Sequence, residues 1–173
     1  MNEGLKKWLW EMTESIAIAL ILAFLIRTFI IQPFYIPSGS MYPNLQPNDK
    51  VLVNKFTYYF TEPKRGDIMV FHYPLDTKKD YIKRIIGLEN ETIEVKDSQI
   101  YINGKILKEP YLPEGLEYGD FSPYKVPAGN YFMMGDNRPD SQDSRYWGSL
   151  DKNLIIGKAM IVFWPPKRVM LLR

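Results

Sequence analysis

At 173 residues and a formal net charge of +2, the chain has room for one domain, or one domain plus an anchor, and no charge excess that would draw it to nucleic acid. The lack of cysteine excludes disulfides, thiolate nucleophiles and cysteine-ligated zinc together, and leaves the redox compartment open. A single histidine, His72, excludes a multi-histidine metal site and is the only imidazole a Ser-His-Asp arrangement could use, while 13 prolines and 14% aromatic residues suit a loop-rich β domain better than a helical bundle.

The first element in chain order is an apolar run. Ser15 to Ile31 consists mostly of Ile, Leu, Ala and Phe, with Arg27 as its one charge. As a helix it covers roughly 26 Å, slightly short of a ~30 Å hydrocarbon core, and extension back through Met12 supplies the missing length. Glu14 and Arg27 then fall near the two interfaces, with Arg27 reaching the headgroups along its aliphatic stem and Trp8 and Trp10 at the opposite interface. A cleavable secretion signal would end at a small-residue cut site. Here the run continues into Phe29-Ile30-Ile31-Gln32-Pro33-Phe34 instead. A core helix of a soluble domain would show a polar face of helical period, and none is present. Lys6 and Lys7 precede the span and no Lys or Arg lies between Gln32 and Asp49, so the positive-inside rule places the N-terminus in the cytoplasm and the rest outside.

Beyond Pro33 the pattern is β. Lys50 to Phe56 and Asp67 to Tyr73 are short apolar runs bounded by polar and proline residues, which predicts strands. Ser98 to Ile102, then Asn103-Gly104, then Lys105 to Leu107 predicts a hairpin, because Asn-Gly tolerates the positive φ angles of a type I′ turn. Glu109 to Pro127 is rich in turn formers and reads as a loop with little regular structure. Ile155 to Trp164 reads as a long buried strand stopped by Pro165-Pro166. The aromatic run Phe56, Tyr58, Tyr59 and Phe60 suits either a lipid interface or an ordinary core. The economical architecture is mainly β: a single β domain over 33–173 behind a short cytoplasmic N-terminus and one transmembrane helix over 1–32, with 97–130 a peripheral hairpin and loop region.

Five places could carry chemistry. Pro37-Ser38-Gly39-Ser40-Met41-Tyr42-Pro43 sets a serine between small and proline residues, and nine residues of extended chain reach only ~30 Å, so Ser40 stays close to the bilayer surface. A serine nucleophile needs a base. Tyr81-Ile82-Lys83-Arg84-Ile85-Ile86 offers a lysine on an apolar strand, with Lys83 sharing a face with Tyr81 and Ile85 while Arg84 points the other way with Ile82 and Ile86. Burial would lower the Lys83 pKa and free its amine; the other reading pairs one of the two cations in a buried ion pair and leaves the other solvated. Asp136 to Arg145 holds three aspartates but no calcium-loop framework, and Arg138 and Arg145 favour a turn stapled by Arg-carboxylate pairs over a metal site. His72, between Phe71 and Tyr73, reads as a structural histidine with no nearby partner to orient it. Ser122-Pro123-Tyr124-Lys125 fits Ser-x-x-Lys, yet the companion elements of that motif are absent.

Taken together, these stretches resemble bacterial type I signal peptidase. Pro37 to Leu45 resembles its nucleophile box, Arg65 to Phe71 the following strand motif, Tyr81 to Gly87 the lysine box, and Gly135 to Arg138 with Ser141, Asp143-Ser144-Arg145 and Tyr146-Trp147-Gly148 the last box. One departure is visible. That family often continues its lysine box Gly-x-Pro-Gly-Asp, where this chain reads Gly87-Leu88-Glu89-Asn90-Glu91, a changed turn.

The resemblance implies a signal-peptidase-like β fold and a membrane-bound serine endopeptidase that removes signal peptides from exported preproteins at Ala-x-Ala sites, without cofactor or metal. It implies Ser40 as nucleophile, Lys83 as general base and Ser141 as the residue that orients Lys83. Ser38 and the Ser40 N–H would form the oxyanion hole, and Asp143 and Arg145 a supporting ion pair. Phe34, Ile36, Pro37, Met41, Tyr81 and Ile82 would line pockets for small side chains. Expected partners are preprotein signal peptides, the lipid bilayer and the secretion channel, with no nucleic acid; the expected location is the cytoplasmic membrane, single-pass, with the catalytic domain on its outer side. Two alternatives stand beside this reading: an anchored Ser-Lys protease with one dedicated precursor, and a non-catalytic anchored β binding domain.

Overall fold

The computed structural model describes residues 3–172. Helix α1 spans Glu3–Leu25, and one wider π turn, Ile26–Ile30, leads from it into the first strand. The helix begins at Glu3, ahead of the Met12 to which the hydropathy pattern extends the span, and Ile31 belongs to a strand rather than to the span. The lead-in from Glu3 is helical because it too contains good helix formers and no breaker after Gly4. No residue of α1 is buried against the rest of the protein, and the helix is long and apolar enough to cross a membrane.

The remainder is mostly β. Strands β1 (Ile31–Tyr35), β2 (Lys50–Asn54), β3 (Ile68–Tyr73) and β4 (Asp76–Gly87) come first, with the single turn α2 (Thr57–Phe60) between β2 and β3. Then follow β5 (Thr92–Lys96), β6 (Gln99–Ile102), β7 (Lys105–Ile106), β8 (Phe121–Lys125) and β9 (Asn130–Met134). The single turn α3 (Ser144–Trp147), β10 (Leu150–Asp151), β11 (Ile155–Trp164) and β12 (Met170–Leu171) complete the chain. The main sheet runs β1-β2-β11-β3-β4-β9-β10, with β12 also paired to β11, and a second sheet runs β7-β6-β5-β8. Every pairing is antiparallel, which suits a chain of short strands joined by turns.

The Asn-Gly hairpin forms as its sequence predicts: Asn103 and Gly104 have φ 51° and 77°, and Ile102 faces Lys105. The proline-rich stretch from Glu109 to Pro127 is less irregular than its composition suggests. It contains β8, whose pairing with β5 is decided by register with a distant strand rather than by local propensity, and the second sheet starts at Thr92, ahead of the expected boundary. In the departing turn after Gly87, Asn90 takes a left-handed φ of 65° and the Glu91 carboxylate accepts from the Leu88 N–H at 2.7 Å and pairs with Arg65. An Asn there supplies the backbone freedom for which glycine is the usual choice.

Alternation along the strands sorts the apolar side chains into three buried clusters. Ile68 and Val70 of β3 face Ile36, Met41, Leu45, Val51, Val53, Ile82, Ala159 and Val162, whereas Met69 and Phe71 face Ile85, Met133 and Leu150 on the other side. The third cluster, built on Ile86, Ile93, Val95, Ile100, Val126, Phe132 and Met134, joins the second sheet to β4 and β9. Strand β11 is only partly buried and ends at an exposed Trp164, so its continuous apolar run overstates its burial. Within the aromatic run, Tyr58 turns inward and donates to Asp67 at 3.1 Å, while Phe56, Tyr59 and Phe60 remain exposed.

At Gly157 the backbone of β11 passes close to the end of β2. A Cβ at that position would lie 2.4 Å from the Asn54 carbonyl oxygen. Gly157→Val is expected to destabilise the fold by about 1–3 kcal/mol through overpacking, read as a lowered melting temperature by circular dichroism; an unchanged melt would mean the two strands separate without cost.

Candidate active site

The turn after β1 is fixed from below. Ile36, Met41 and Leu45 are all buried in the first cluster, and the Leu45 N–H donates to the Met41 carbonyl at 2.9 Å. Ser40 therefore sits on a turn whose next residue is an anchor in the core. The same turn is held from the far end of the chain by Asn137. Its backbone N–H donates to the Ser40 carbonyl at 3.1 Å and its side-chain amide to the Gly39 carbonyl at 3.0 Å.

Lys83 reaches this turn from β4, 43 residues away in sequence. Its Nζ donates to Ser40 Oγ at 2.7 Å and to the Ile82 carbonyl at 3.1 Å, and lies 5.4 Å from the centre of the Tyr81 ring. The side chain is 4% exposed, and this desolvation pushes its pKa down to about 8 against the opposing pull of the Asp143 and Asp136 carboxylates. At that value a substantial fraction of the amine is neutral near pH 8, and a neutral amine 2.7 Å from a hydroxyl can accept its proton. The ion-pair alternative divides between the two cations. Arg84, on the opposite face, forms a buried two-point pair with Asp136, at 2.8 Å from Nε to Oδ1 and 2.7 Å from Nη2 to Oδ2, whereas Lys83 is buried rather than solvated.

The other expected residues surround this pair unevenly. Ser38 is exposed, and its hydroxyl donates to Ser40 Oγ at a long 3.4 Å. Asp143 and Arg145 pair through two bonds of 2.8 Å, and Asp143 Oδ2 also accepts from the Gly135 N–H at 3.1 Å. Ser141 is buried, but the hydrogen bond expected from it to Lys83 is not formed: its Oγ has no partner. It sits against the site across Gly135, where a Cβ would lie 2.2 Å from Ser141 Oγ and 2.4 Å from the Ser40 carbonyl oxygen. Only a glycine leaves that passage open.

Of the expected pocket residues, Ile36, Met41 and Ile82 belong to the first cluster with Phe34 packed against it, and Pro37 is exposed beside them. Tyr81 lies apart from Ile82, in the cluster on the other face, stacked on Tyr73 with ring centres 4.3 Å apart. A groove of about 1320 Å³ takes in Phe34, His72 and Asp80 but neither Ser40 nor Lys83.

His72 differs from its sequence reading. It is half-exposed and does have an orienting partner, Asp80, with Nδ1 and Oδ1 2.8 Å apart, because β3 and β4 place the two residues opposite each other. Ser122 and Lys125 lie exposed on β8, an edge strand of the second sheet. The arginine-stapled turn at 136–145 forms, though with a wider set of partners than expected: Asp136 pairs with Arg84, and Arg138 with Glu109.

Three contributors carry no local sign of their role. Asn44, four residues past Ser40, donates to Asp136 Oδ2 at 2.8 Å and to the Tyr111 carbonyl at 3.0 Å. Glu109 and Tyr111 come from the stretch read as loop, and nothing in their immediate sequence points to a site assembled from β4 and the 135–145 turn. Asn137, by contrast, lies within the polar run and could have been singled out there.

A family profile described as signal peptidase, peptidase S26, matches residues 9–164. A signal peptidase I of Leptolyngbya laminosa is 42% identical over 93% of this chain and 82% of its own length. A probable signal peptidase I of Synechocystis is 44% identical over 95% of this chain and 77% of its own, and a signal peptidase I of Bacillus amyloliquefaciens 44% over 90% and 86%.

Arg84 and Asp136 are both almost fully buried, so each depends on the other's charge. Asp136→Ala leaves a buried guanidinium without its carboxylate and is expected to cost about 3–5 kcal/mol of stability. Chemical denaturation in detergent checks this; a loss below 1 kcal/mol would mean that the pair behaves as a solvated one.

Proposed function

Because the chain belongs to the signal peptidase family, peptidase S26, we propose that it is a membrane-anchored serine endopeptidase that removes signal peptides from exported preproteins, with Ser40 as nucleophile and Lys83 as general base. The observation that carries this reading is the 2.7 Å contact between Lys83 Nζ and Ser40 Oγ, made by a lysine buried enough to lose its proton near pH 8. Serine with lysine is a recognised variant of the nucleophile-and-base pair.

In the first step Ser40 Oγ attacks the carbonyl before the cut, and the Lys83 amine takes the hydroxyl proton. The resulting ammonium then gives that proton to the departing amine as the peptide bond breaks and an acyl-enzyme forms. Water, deprotonated by the same amine, attacks the acyl carbon; the ester bond to Ser40 Oγ breaks, and the ammonium returns the proton to Oγ. The developing oxyanion is met by the Ser40 N–H and, once it turns from Ser40 Oγ, by the Ser38 hydroxyl; each such donor is worth about 3 kcal/mol in the transition state. Ser141, buried with an unused hydroxyl, takes a hydrogen bond from the Lys83 ammonium during turnover, and Gly135 leaves room for Ser141 against the Ser40 carbonyl. Asp143 and Arg145 hold the turn that carries Ser141.

Phe34, Ile36, Pro37, Met41, Tyr81 and Ile82 form the pockets for small side chains at the first and third positions before the cut. Helix α1 crosses the cytoplasmic membrane with its N-terminus inside and holds the domain from residue 33 onward against the outer surface. Confinement to that surface raises the effective concentration of membrane-held precursors without any new contact. The secretion channel that delivers those precursors is a natural neighbour of the enzyme.

Ser40→Ala and Lys83→Ala are each expected to lower cleavage of a precursor bearing an Ala-x-Ala site by roughly 10³-fold or more, with the circular dichroism spectrum unchanged. Full activity in Lys83→Ala would sink the assignment of the base. Protonated Lys83 cannot accept a proton, so kcat/KM should rise about tenfold per pH unit on the acid side and level off above pH about 8. A limb centred well below pH 7 would show that another group is titrating.

A further inference from the structure

The stretch from Lys108 to Tyr118 looks like a surface connection of the second sheet, yet its polar tips end at the site. At its base it is tied to its own sheet: Leu107 N–H donates to the Ile100 carbonyl at 2.8 Å, and Ser98 Oγ to the Tyr118 carbonyl at 3.0 Å. Just beyond that base the Glu109 carboxylate grips the Arg138 guanidinium through both terminal nitrogens and also accepts from the Tyr111 hydroxyl. The Tyr111 ring lies 3.9 Å from the Arg84 guanidinium, and the Tyr118 hydroxyl accepts from Arg138 at 3.3 Å.

Arg138 in turn controls the segment that faces Ser40. Its side chain is completely buried, its Nε donates to the Gly135 carbonyl at 3.1 Å, and its own carbonyl accepts from Arg145 at 2.7 Å. Gly135 is thus clamped on both peptide sides, by Arg138 at its carbonyl and by Asp143 at its N–H. This is the residue with no spare room between Ser141 and the Ser40 carbonyl. Arg138 can hold that position only while its buried charge is neutralised, and among the described residues Glu109 is the carboxylate bonded to it.

Resting on the reading of Ser40 and Lys83 as the catalytic pair, we propose that Glu109 is a positioning residue of the reaction. Acting through Arg138, it holds the 135–141 turn in register with the nucleophile. Glu109 touches neither substrate nor the reacting atoms in this scheme. Its loss lets the turn drift, and a displacement on the order of 1 Å at a site of this kind costs about 100-fold in rate. The second sheet is then part of the catalytic apparatus rather than an appendage to it.

The test uses the full chain in detergent micelles and a precursor peptide with an Ala-x-Ala site. Glu109→Gln is expected to lower kcat by about 10- to 100-fold with KM changed less than about twofold. Arg138→Met is expected to do the same, and the double variant to be no worse than the worse single one, since the two act as one unit. Unchanged kcat in folded Glu109→Gln overturns the proposal. So does a loss expressed in KM, or full additivity in the double variant. Should Glu109→Gln fail to fold, Tyr111→Phe decides: it removes only the hydroxyl that donates to Glu109, and a kcat loss of about threefold or more at constant KM supports the role, while unchanged kcat refutes it. Exposed Glu114→Gln on the same stretch serves as the control with wild-type kcat. Ser40→Ala run in parallel separates the two readings, because cleavage surviving there sinks the catalytic pair itself, whereas its loss beside an intact Glu109→Gln sinks only the positioning role.

Discussion

Two adjacent cations, Lys83 and Arg84, are buried on opposite faces of β4, and the site follows from their different treatment. Arg84 receives a carboxylate, Asp136, and becomes a structural tie between β4 and the 135–145 turn. Among the described residues Lys83 receives no such partner. Its contacts are a hydroxyl and a carbonyl, so desolvation is the larger force on its proton and the two nearby carboxylates only temper it. Had Asp136 faced Lys83 instead, the ammonium would be stabilised and the lysine would be useless as a base at neutral pH.

That division explains why so many arginine-carboxylate pairs crowd a small region. Asp136 and Asp143 are each fully buried and each raises the Lys83 pKa, so each needs a guanidinium of its own to localise its charge. Arg138 then needs Glu109. The result is a lattice of charge-assisted hydrogen bonds whose geometry is stiff because guanidinium and carboxylate meet at two points. Such pairs add little net stability, but breaking one leaves an unpaired buried charge, which makes the arrangement all-or-none.

The nucleophile turn shows the complementary principle. Apolar anchors at Ile36, Met41 and Leu45 fix where the turn sits, and hydrogen bonds from Asn137 fix how its peptides are oriented. Packing sets position to within a side chain's freedom, and directional bonds set the rest. Ser40 therefore arrives beside Lys83 from one side by burial and is turned toward it from the other by residues almost a hundred positions away.

Local pattern was enough for several of these parts. Alternation separated the faces of Lys83 and Arg84, the Asn-Gly pair set its hairpin, and the unbroken apolar run marked the N-terminal helix, because each depends on neighbours within a few residues. The polar run at 136–145 was legible as an arginine-stapled turn, though its partners were not. The strand at Phe121–Lys125 and the roles of Asn44, Glu109 and Tyr111 were invisible, since each arises from contacts distant in sequence, and the orienting partner of His72 was missed because it depends on the register of β3 against β4. The sequence by itself determined which groups could do chemistry and which faces they occupy, through composition and the two-residue period of a strand. Only the tertiary structure decided that Lys83 lacks a carboxylate while Arg84 has one, and that Ser141 approaches Ser40 only across a glycine, because the energy of a buried charge depends on which distant groups close around it.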